Sequence, residues 1–153
     1  MVLNHRTFME KALDLAAEAA AASEVPVGAV VLRDGEVVGE GRNRVVERGT
    51  ATAHAEMLAL ADAAEKVATE KLTGCTLYAT LEPCPMCAYA AVLSRVDRVV
   101  FGAYDPKAGA CGSVVNIPAE PGFNHRLEVI GGVMEDECGA LLTAFFERLR
   151  GAD

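Results

Sequence analysis

The chain has 153 residues, 52% of them hydrophobic, and a formal net charge of −8 at pH 7. At this length one domain buries roughly two thirds of the surface that its unfolded form exposes, so disulfide bonds are not needed for stability. The apolar residues come in short segments, none near the roughly 18 to 20 uninterrupted positions of a membrane-spanning helix. The acidic charge argues against indiscriminate nucleic-acid binding, because phosphate contacts normally come from clustered Lys and Arg.

The first third of the chain predicts a helix followed by a β-hairpin. Apolar side chains recur at helical spacing over about residues 4–22 and indicate the helix. A β-branched run at 27–32, a turn at Asp34-Gly35 and a second apolar run at 37–43 indicate two antiparallel strands.

The next segments predict two helices separated by a strand. An Ala-rich segment over 53–67 favours a helix, with Thr52 as its expected N-cap. A strand is expected over 75–80. Two prolines at 83 and 85 suit the entrance of the following helix, which is expected over 86–93.

The last third predicts two short strands and a closing helix. The strands are expected over 97–101 and 126–130, with a Gly-containing loop after the first, and the helix over about 135–150. Strands that alternate with helices after a hairpin predict an α/β fold, a three-layer α/β/α sandwich with a mixed five-stranded sheet. We expect a single domain over residues 1–153.

The cysteines indicate a reducing compartment. Five is an odd number, and two of them form Cys84-Pro-Met-Cys87. In a protein that is not secreted, this spacing points to metal or redox chemistry rather than to disulfides. The N-terminal stretch carries Glu10 and Asp14 where a signal peptide would be apolar, so we expect a cytoplasmic protein.

A zinc site is predicted from three residues. A hydrolytic zinc ion takes three protein ligands and keeps its fourth position for water. His54, Cys84 and Cys87 supply such a set, and each half of the set lies at a predicted helix start, where the helix dipole favours thiolates.

Glu56 is the predicted general acid/base. Zinc lowers the pKa of a water molecule towards neutrality, and a carboxylate beside the metal then has to move the proton. Glu56, two residues from His54, is placed to take that proton and pass it to a substrate without joining the metal ligands.

The separate parts of this pattern have other interpretations. Cys-x-x-Cys alone also fits a redox pair or half of a structural zinc site, whose fourth ligand would have to be Cys75 or Cys111. Otherwise we expect Cys75, Cys111 and Cys138 to be small, buried structural residues. The joint pattern His-x-Glu followed by Pro-Cys-x-x-Cys is the signature of zinc-dependent base deaminases.

At these residues the sequence resembles the cytidine-deaminase-like superfamily and, more narrowly, the bacterial tRNA-specific adenosine deaminases. The resemblance covers nearly the whole chain. It includes Thr52 to Glu56 and Thr80 to Cys87, and the narrower likeness lies in Asp105 to Ser113, in Asn124-His125-Arg126 and in Cys138 to Phe146.

The resemblance implies a function. It implies the cytidine-deaminase-like fold and hydrolysis of adenosine to inosine at the wobble position of a tRNA anticodon, with release of ammonia. It further implies one zinc ion per subunit, no organic cofactor, no membrane, and a homodimer in which the partner subunit completes the site for the anticodon stem-loop.

The resemblance also implies the substrate contacts. Asn43 would hydrogen-bond the base, Asp105 and Lys107 would meet flanking nucleotides, and Ala55 and Pro83 would shape the pocket. The residues expected to line the RNA path are Asn124, His125, Arg126, Phe145 and Arg148. Asn43 and Asp105 equally suit the capping of turns.

Two other functions stay open at this stage. The same zinc centre supports deamination of a free base or nucleoside such as guanine or cytosine, which the acidic charge favours. A structural-zinc or RNA-binding module without catalysis is the third candidate, and it leaves Glu56 without a purpose.

Overall fold

Residues 4–151 are the part of the chain that the computed structural model describes, and they contain five α-helices, five strands and one 3₁₀ turn. The helices are α1 (His5–Ala21), α2 (Val45–Arg48), α3 (Ala55–Val67), α4 (Pro85–Leu93) and α5 (Glu135–Gly151). The strands are β1 (Gly28–Arg33), β2 (Glu36–Arg42), β3 (Cys75–Leu81), β4 (Arg98–Ala103) and β5 (Glu128–Ile130), and the 3₁₀ turn spans Ile117–Ala119. None of the helices in this part of the chain has the length and apolar character needed to cross a bilayer.

The strands form one mixed sheet in the order β2-β1-β3-β4-β5. Strand β1 is antiparallel to both β2 and β3, whereas β3, β4 and β5 are parallel. The hairpin turn uses Asp34 and Gly35, both with positive φ, which matches the twist of the two strands it joins. The predicted mixed five-stranded sheet is thus confirmed.

Helices cover both faces of the sheet and make the three-layer sandwich. Successive strand residues point to opposite faces, so the core is divided in two. On one face Val30 and Tyr78 pack against Met9 of α1 and Cys138 of α5. The residues of the other core include Val31, Leu77 and Val99 of the sheet with Ala59 of α3 and Ala91 of α4.

One edge of the sheet gathers the ends of several strands. Because β1 runs opposite to its neighbours, β2, β3 and β4 all point the same way and end at Arg42, Leu81 and Ala103. Helices α3 and α4 begin just beyond this edge. The carboxyl ends of strands are where open α/β sheets bind ligands.

Three details differ from the sequence-based expectation. The short helix α2 has no predicted counterpart, and α3 begins at Ala55 rather than at residue 53. Thr52 as its N-cap was wrong: the N-cap is His54, whose side chain makes no cap hydrogen bond. The first N–H of α3 is instead capped by Asn43, a residue that no local pattern connects to the helix.

Candidate metal centre and active site

Three side chains converge where α3 and α4 begin. The potential ligand atoms of His54, Cys84 and Cys87 all lie within 4.8 Å of one another. His54 Nδ1 is 3.7 Å from Cys84 Sγ and 3.6 Å from Cys87 Sγ. His54 is the N-cap of α3, Cys84 is the N-cap of α4, and Cys87 follows in the first turn of α4. Two helix N-termini therefore face the same point and favour negative charge there.

The protonation of the cluster suits a soft divalent cation. Hydrogen bonds from Cys87 and then from His54 lower the pKa of the Cys84 thiol to about 4, so Cys84 is a thiolate at neutral pH. The same contact with Cys84 raises the pKa values of the Cys87 thiol and of His54. Zinc binding would displace these protons, because a metal takes deprotonated thiols and a neutral imidazole as ligands. A thiolate-imidazole donor set of this kind prefers zinc, and the residues fit that ion.

The cluster offers three ligands rather than four. Within residues 4–151 no further His, Cys, Asp or Glu joins this group, and neither Cys75 nor Cys111 belongs to it. Both of these cysteines and Cys138 are buried free thiols. Three protein ligands are typical of catalytic zinc sites, and structural sites usually have four. The structural-zinc interpretation is therefore not favoured.

Glu56 lies beside the metal cluster without belonging to it. It is the second residue of α3, and its side chain is buried, with 4% of its surface exposed. Burial raises the pKa of this carboxyl to about 7. A carboxyl group with a pKa near neutrality both accepts and returns a proton at little cost, as a general acid/base must.

A cavity of about 490 Å³ opens onto this centre. His54, Cys84 and Glu56 lie in its wall, so a ligand in the cavity reaches both the metal site and the carboxyl group. The other lining residues come from three places around the sheet edge and from α5. They are Ser23, Glu24, Val25 and Val27 before β1; Asn43, Val45 and Val46 after β2; Leu81, Glu82, Asp105 and Ala108 at or after the ends of β3 and β4; and Phe145 and Leu149 of α5.

Several predicted substrate contacts lie at this cavity. Asn43, Asp105 and Phe145 are in its wall. The backbone N–H of Ala55 donates to Asn43 Oδ1, and the carbonyl of Pro83 accepts a hydrogen bond from Ala110.

Asn43 and Asp105, which also suited the capping of turns, both accept hydrogen bonds from backbone N–H groups. Asn43 caps α3. Asp105 accepts hydrogen bonds from the N–H groups of Lys107 and Ala108, and Lys107 itself is exposed.

The other predicted contacts lie elsewhere on the chain. Asn124 and His125 border a separate cavity of about 190 Å³ beside Tyr89 of α4, and His125 Nε2 is 2.7 Å from the carbonyl oxygen of Val96. Arg126 donates to the carbonyl of Glu120. Arg148 lines a surface groove between α1 and α5. None of these four residues is in the wall of the cavity that contains Glu56.

Sequence reasoning missed two buried carboxylates in the cavity wall. Glu24 and Glu82 are only 2% and 1% exposed. Glu24 accepts hydrogen bonds from the N–H groups of Val46, at 3.0 Å, and Glu47, at 2.7 Å, and so caps α2. Both acidic residues lie in otherwise apolar runs at a strand boundary. Charged side chains are rarely buried without a partner, so their presence in these runs could have indicated a specific role.

Comparison with known proteins gives a consistent set of matches. Residues 3–103 match the model of the cytidine and deoxycytidylate deaminase zinc-binding region. The chain is 49% identical to the tRNA-specific adenosine deaminase of Bacillus subtilis (strain 168) over 143 residues, which cover 94% of this chain and 89% of that protein.

Solved structures agree with the sequence matches. One from a study of A-to-I editing by tRNA:A34 deaminases at the wobble position of transfer RNA has a TM-score of 0.86 at 43% identity, and the match covers 89% of this chain and 99% of that chain. A guanine deaminase from Nitrosomonas europaea has a TM-score of 0.79 at 29% identity, and its match covers 95% of this chain and 85% of that chain.

Proposed function

This chain belongs to the cytidine and deoxycytidylate deaminase family, and we propose that it is the enzyme that hydrolyses adenosine to inosine at the wobble position of a tRNA anticodon. The observation that carries the chemistry is the open three-ligand cluster of His54, Cys84 and Cys87 in one cavity with the buried Glu56. The choice of substrate is supported by the identity to a tRNA-specific adenosine deaminase over nearly the whole of both chains. Deamination of a free base is less favoured, because the guanine deaminase match is weaker.

Zinc held by His54, Cys84 and Cys87 would act as a Lewis acid that lowers the pKa of water, so that water can lose a proton and attack the base near neutral pH. Glu56 then moves two protons. It takes the first from the attacking water and delivers it to the ring nitrogen next to the attacked carbon; it takes the second from the newly added hydroxyl group and delivers it to the exocyclic amine, which leaves as ammonia. The overall balance is adenosine plus water giving inosine plus ammonia. The pKa of Glu56, raised to about 7 by burial, suits both directions of transfer.

Asn43 is the proposed base-binding residue. Its Oδ1 is already engaged by the N–H of Ala55, so the Nδ2 group is left to donate a hydrogen bond to an acceptor on the base. The same side chain caps α3, which carries Glu56. A base bound to Asn43 would therefore be held at a fixed position relative to the acid/base group. Asp105 and Lys107, at the end of β4, are the proposed contacts to the flanking nucleotides.

A homodimer would bring the remaining predicted contacts to the RNA. Asn124 and His125 lie away from the cavity of their own subunit, beside Tyr89 and Leu93 of α4, and Arg126 is the next residue in the chain. Those two apolar side chains are 41% and 68% exposed, as expected for a surface that a second subunit covers. We propose that each subunit presents this segment to the anticodon stem-loop bound by the other, in the cytoplasm, where the five free thiols remain reduced.

The experiment that tests this function is mass analysis of a synthetic anticodon stem-loop with adenosine at the wobble position. After incubation with zinc-loaded protein, the oligonucleotide gains about one mass unit, since the net change replaces NH by O. The matched control is Glu56→Ala, which keeps all three metal ligands and is expected to give no mass gain.

The alternative substrates are tested in the same preparation. A stem-loop with guanosine at the wobble position should remain unchanged. No mass gain on the adenosine substrate, together with ammonia released from free guanine or cytosine, would move the assignment to a free-base deaminase. A mass gain that persists in Glu56→Ala would overturn the role given to this carboxyl group.

A further inference from the structure

Glu82 is a buried carboxylate that holds one loop of the protein with four hydrogen bonds. Its Oε1 accepts from the N–H of Asp105 at 3.0 Å and from the hydroxyl of Ser113. Its Oε2 accepts from the N–H groups of Cys111 and Ser113, each at 3.0 Å. All of these donors lie in residues 104–116, which we call the 104–116 loop. A carboxylate so enclosed is a strong acceptor, because charge-assisted hydrogen bonds in a buried site exceed neutral ones in strength.

The same residue is part of the segment that carries the metal ligands. Glu82 directly follows β3, and its own N–H donates to the carbonyl of Ala103 at 2.8 Å. The carbonyl of the next residue, Pro83, accepts from Ala110 of the 104–116 loop, also at 2.8 Å. Cys84 comes next. The loop is thereby attached to the backbone immediately before a zinc ligand.

The attachment is tight as well as polar. A Cβ added to Gly109 would collide with the carboxyl group of Glu82 and with the carbonyl of Asp105. There is no room for the loop to shift towards Glu82, and the four hydrogen bonds prevent a shift away from it. Asp105 and Ala108, near the start of this loop, lie in the wall of the cavity that contains Glu56.

We propose that Glu82 is a positioning residue for substrate: it fixes the 104–116 loop against the metal-ligand segment, so that the nucleotides held by this loop stand at a set distance from Glu56. This inference rests on the proposed RNA substrate. It gives Glu82 no part in the chemical step, because its carboxylate oxygens are occupied by loop donors.

The tether should act on substrate binding more than on the metal or on the acid/base group. His54 and Glu56 are held by α3, and Cys84 and Cys87 by the first turn of α4, so they do not depend on the loop for their places. A glutamine at position 82 offers one acceptor oxygen and places an NH₂ group against backbone N–H donors. Part of the loop then loses its anchor while the shape of the side chain is kept.

The test compares zinc-loaded wild type with Glu82→Gln and Ser113→Ala, using the adenosine stem-loop as substrate. We expect Glu82→Gln to raise KM by about tenfold with kcat changed by less than about threefold, because ground-state positioning is lost and the chemical groups stay in place. Ser113→Ala removes one of the four donors and should raise KM by a smaller factor. Ser113→Thr keeps the hydroxyl on an exposed residue and should restore the wild-type KM.

Two further measurements separate positioning from general damage. Val30→Ala makes a cavity in the core between the sheet and α1, in a cluster that contains no residue of the loop, and serves as the control for lost stability: it should lower the unfolding midpoint and leave KM unchanged. Hydrogen exchange of the Asp105, Cys111 and Ser113 amides should be faster in Glu82→Gln than in wild type and Val30→Ala. Zinc content should be the same in all variants.

The outcomes distinguish this inference from the proposed function. If wild type forms inosine and Glu82→Gln keeps the wild-type KM, as Val30→Ala is expected to do, or loses only kcat, the positioning role is overturned. If Glu82→Gln does not fold, Ser113→Ala decides: a raised KM that threonine restores supports the role, and an unchanged KM overturns it. If wild type forms no inosine, it is the proposed function that fails, and unchanged amide exchange in Glu82→Gln would show separately that the tether itself is wrong.

Discussion

The side-chain oxygen of Asn43 accepts a hydrogen bond from the backbone N–H of Ala55 over 2.8 Å. Ala55 lies between His54 and Glu56, so this one contact connects the end of β2 to the place where a metal ligand and the acid/base group enter α3. The same asparagine lines the cavity. Its side-chain oxygen thus caps the helix, and its side-chain nitrogen is the atom that we propose to bind the base.

Replacing Asn43 should separate these two roles. Asn43→Ala leaves the buried N–H of Ala55 without an acceptor and should lower the free energy of unfolding by about 1 to 2 kcal/mol. Asn43→Asp keeps an acceptor for the cap but removes the Nδ2 donor. We expect it to retain most of the stability and lose most of the activity, measured by denaturant unfolding and by inosine formation. Equal stability of wild type and Asn43→Ala would contradict the capping role.

Removal of a metal ligand should differ from removal of the acid/base group. Cys87→Ser should lose zinc, measured by elemental analysis, and should unfold at a lower temperature, because metal bound only to the folded state adds stability. Glu56→Gln should keep wild-type zinc content and lose activity by about a hundredfold or more. A chelator should lower the unfolding midpoint of wild type and Glu56→Gln alike. Loss of zinc from Glu56→Gln would place this carboxylate among the ligands.

Gly41 and Gly139 are a matched pair of positions at which a Gly→Ala substitution should change stability in opposite directions. Gly41 in β2 lies so close to α3 that an added Cβ would overlap the carbonyl of Ala55 and approach the nitrogen of Ala59 to 2.7 Å. Gly41→Ala should therefore cost about 1 to 3 kcal/mol of unfolding free energy through overpacking. Gly139 in α5 has nothing within 4 Å of such an atom, and Gly139→Ala should add up to about 1 kcal/mol through helix propensity. Denaturant unfolding measures both changes, and effects of the same sign would contradict this account.

His5 should make stability depend on pH. Its Nδ1 is 2.8 Å from the hydroxyl of Tyr78, and burial, together with Arg98, lowers the pKa of this imidazole from its ordinary 6.5. Burial also raises the pKa of Tyr78 to about 12, so the phenol keeps its proton and donates it to a neutral ring.

The sign of that dependence follows from linkage. A histidine with a lowered pKa binds protons less readily in the folded state, so its contribution to stability is present above pH 6.5 and is lost as the pH falls through the folded-state pKa. Thermal unfolding of wild type and His5→Gln is compared from about pH 7.5 down to about pH 5. Wild type should lose more stability than the variant on acidification. Parallel curves would show that His5 does not titrate in this way.

Much of the fold was accessible from local patterns. Helical spacing of apolar side chains located α1, and its buried positions Met9, Ala12, Ala16 and Ala19 do lie on one face. The hairpin followed from two β-branched runs around an Asp-Gly turn. Each of these features depends on residues that are close in the chain, which is why a sequence reveals them.

The metal centre could also be anticipated, since its motifs have a fixed internal spacing. His54 precedes Glu56 by two residues, and Cys84 precedes Cys87 by three, so each half of the site is a local feature at a helix start. However, the local sequence pattern predicted that α3 starts at residue 53, whereas the helix begins at Ala55. The cap came from Asn43 on another element, and Thr52, the nearest residue with a capping side chain, was therefore an incorrect choice.

The sequence by itself thus determined most of the elements, the three residues that could hold zinc and the choice of Glu56 as the predicted acid/base residue. Only the tertiary structure decided how the cavity wall is held, through Glu24 to the N–H groups of α2 and through Glu82 to the 104–116 loop. Those contacts join backbone groups to carboxylates more than twenty positions away, and they exist because the antiparallel β1 brings the ends of β2, β3 and β4 to one edge. A backbone N–H is the same in every residue, so no side-chain pattern marks which of them a buried carboxylate will bind.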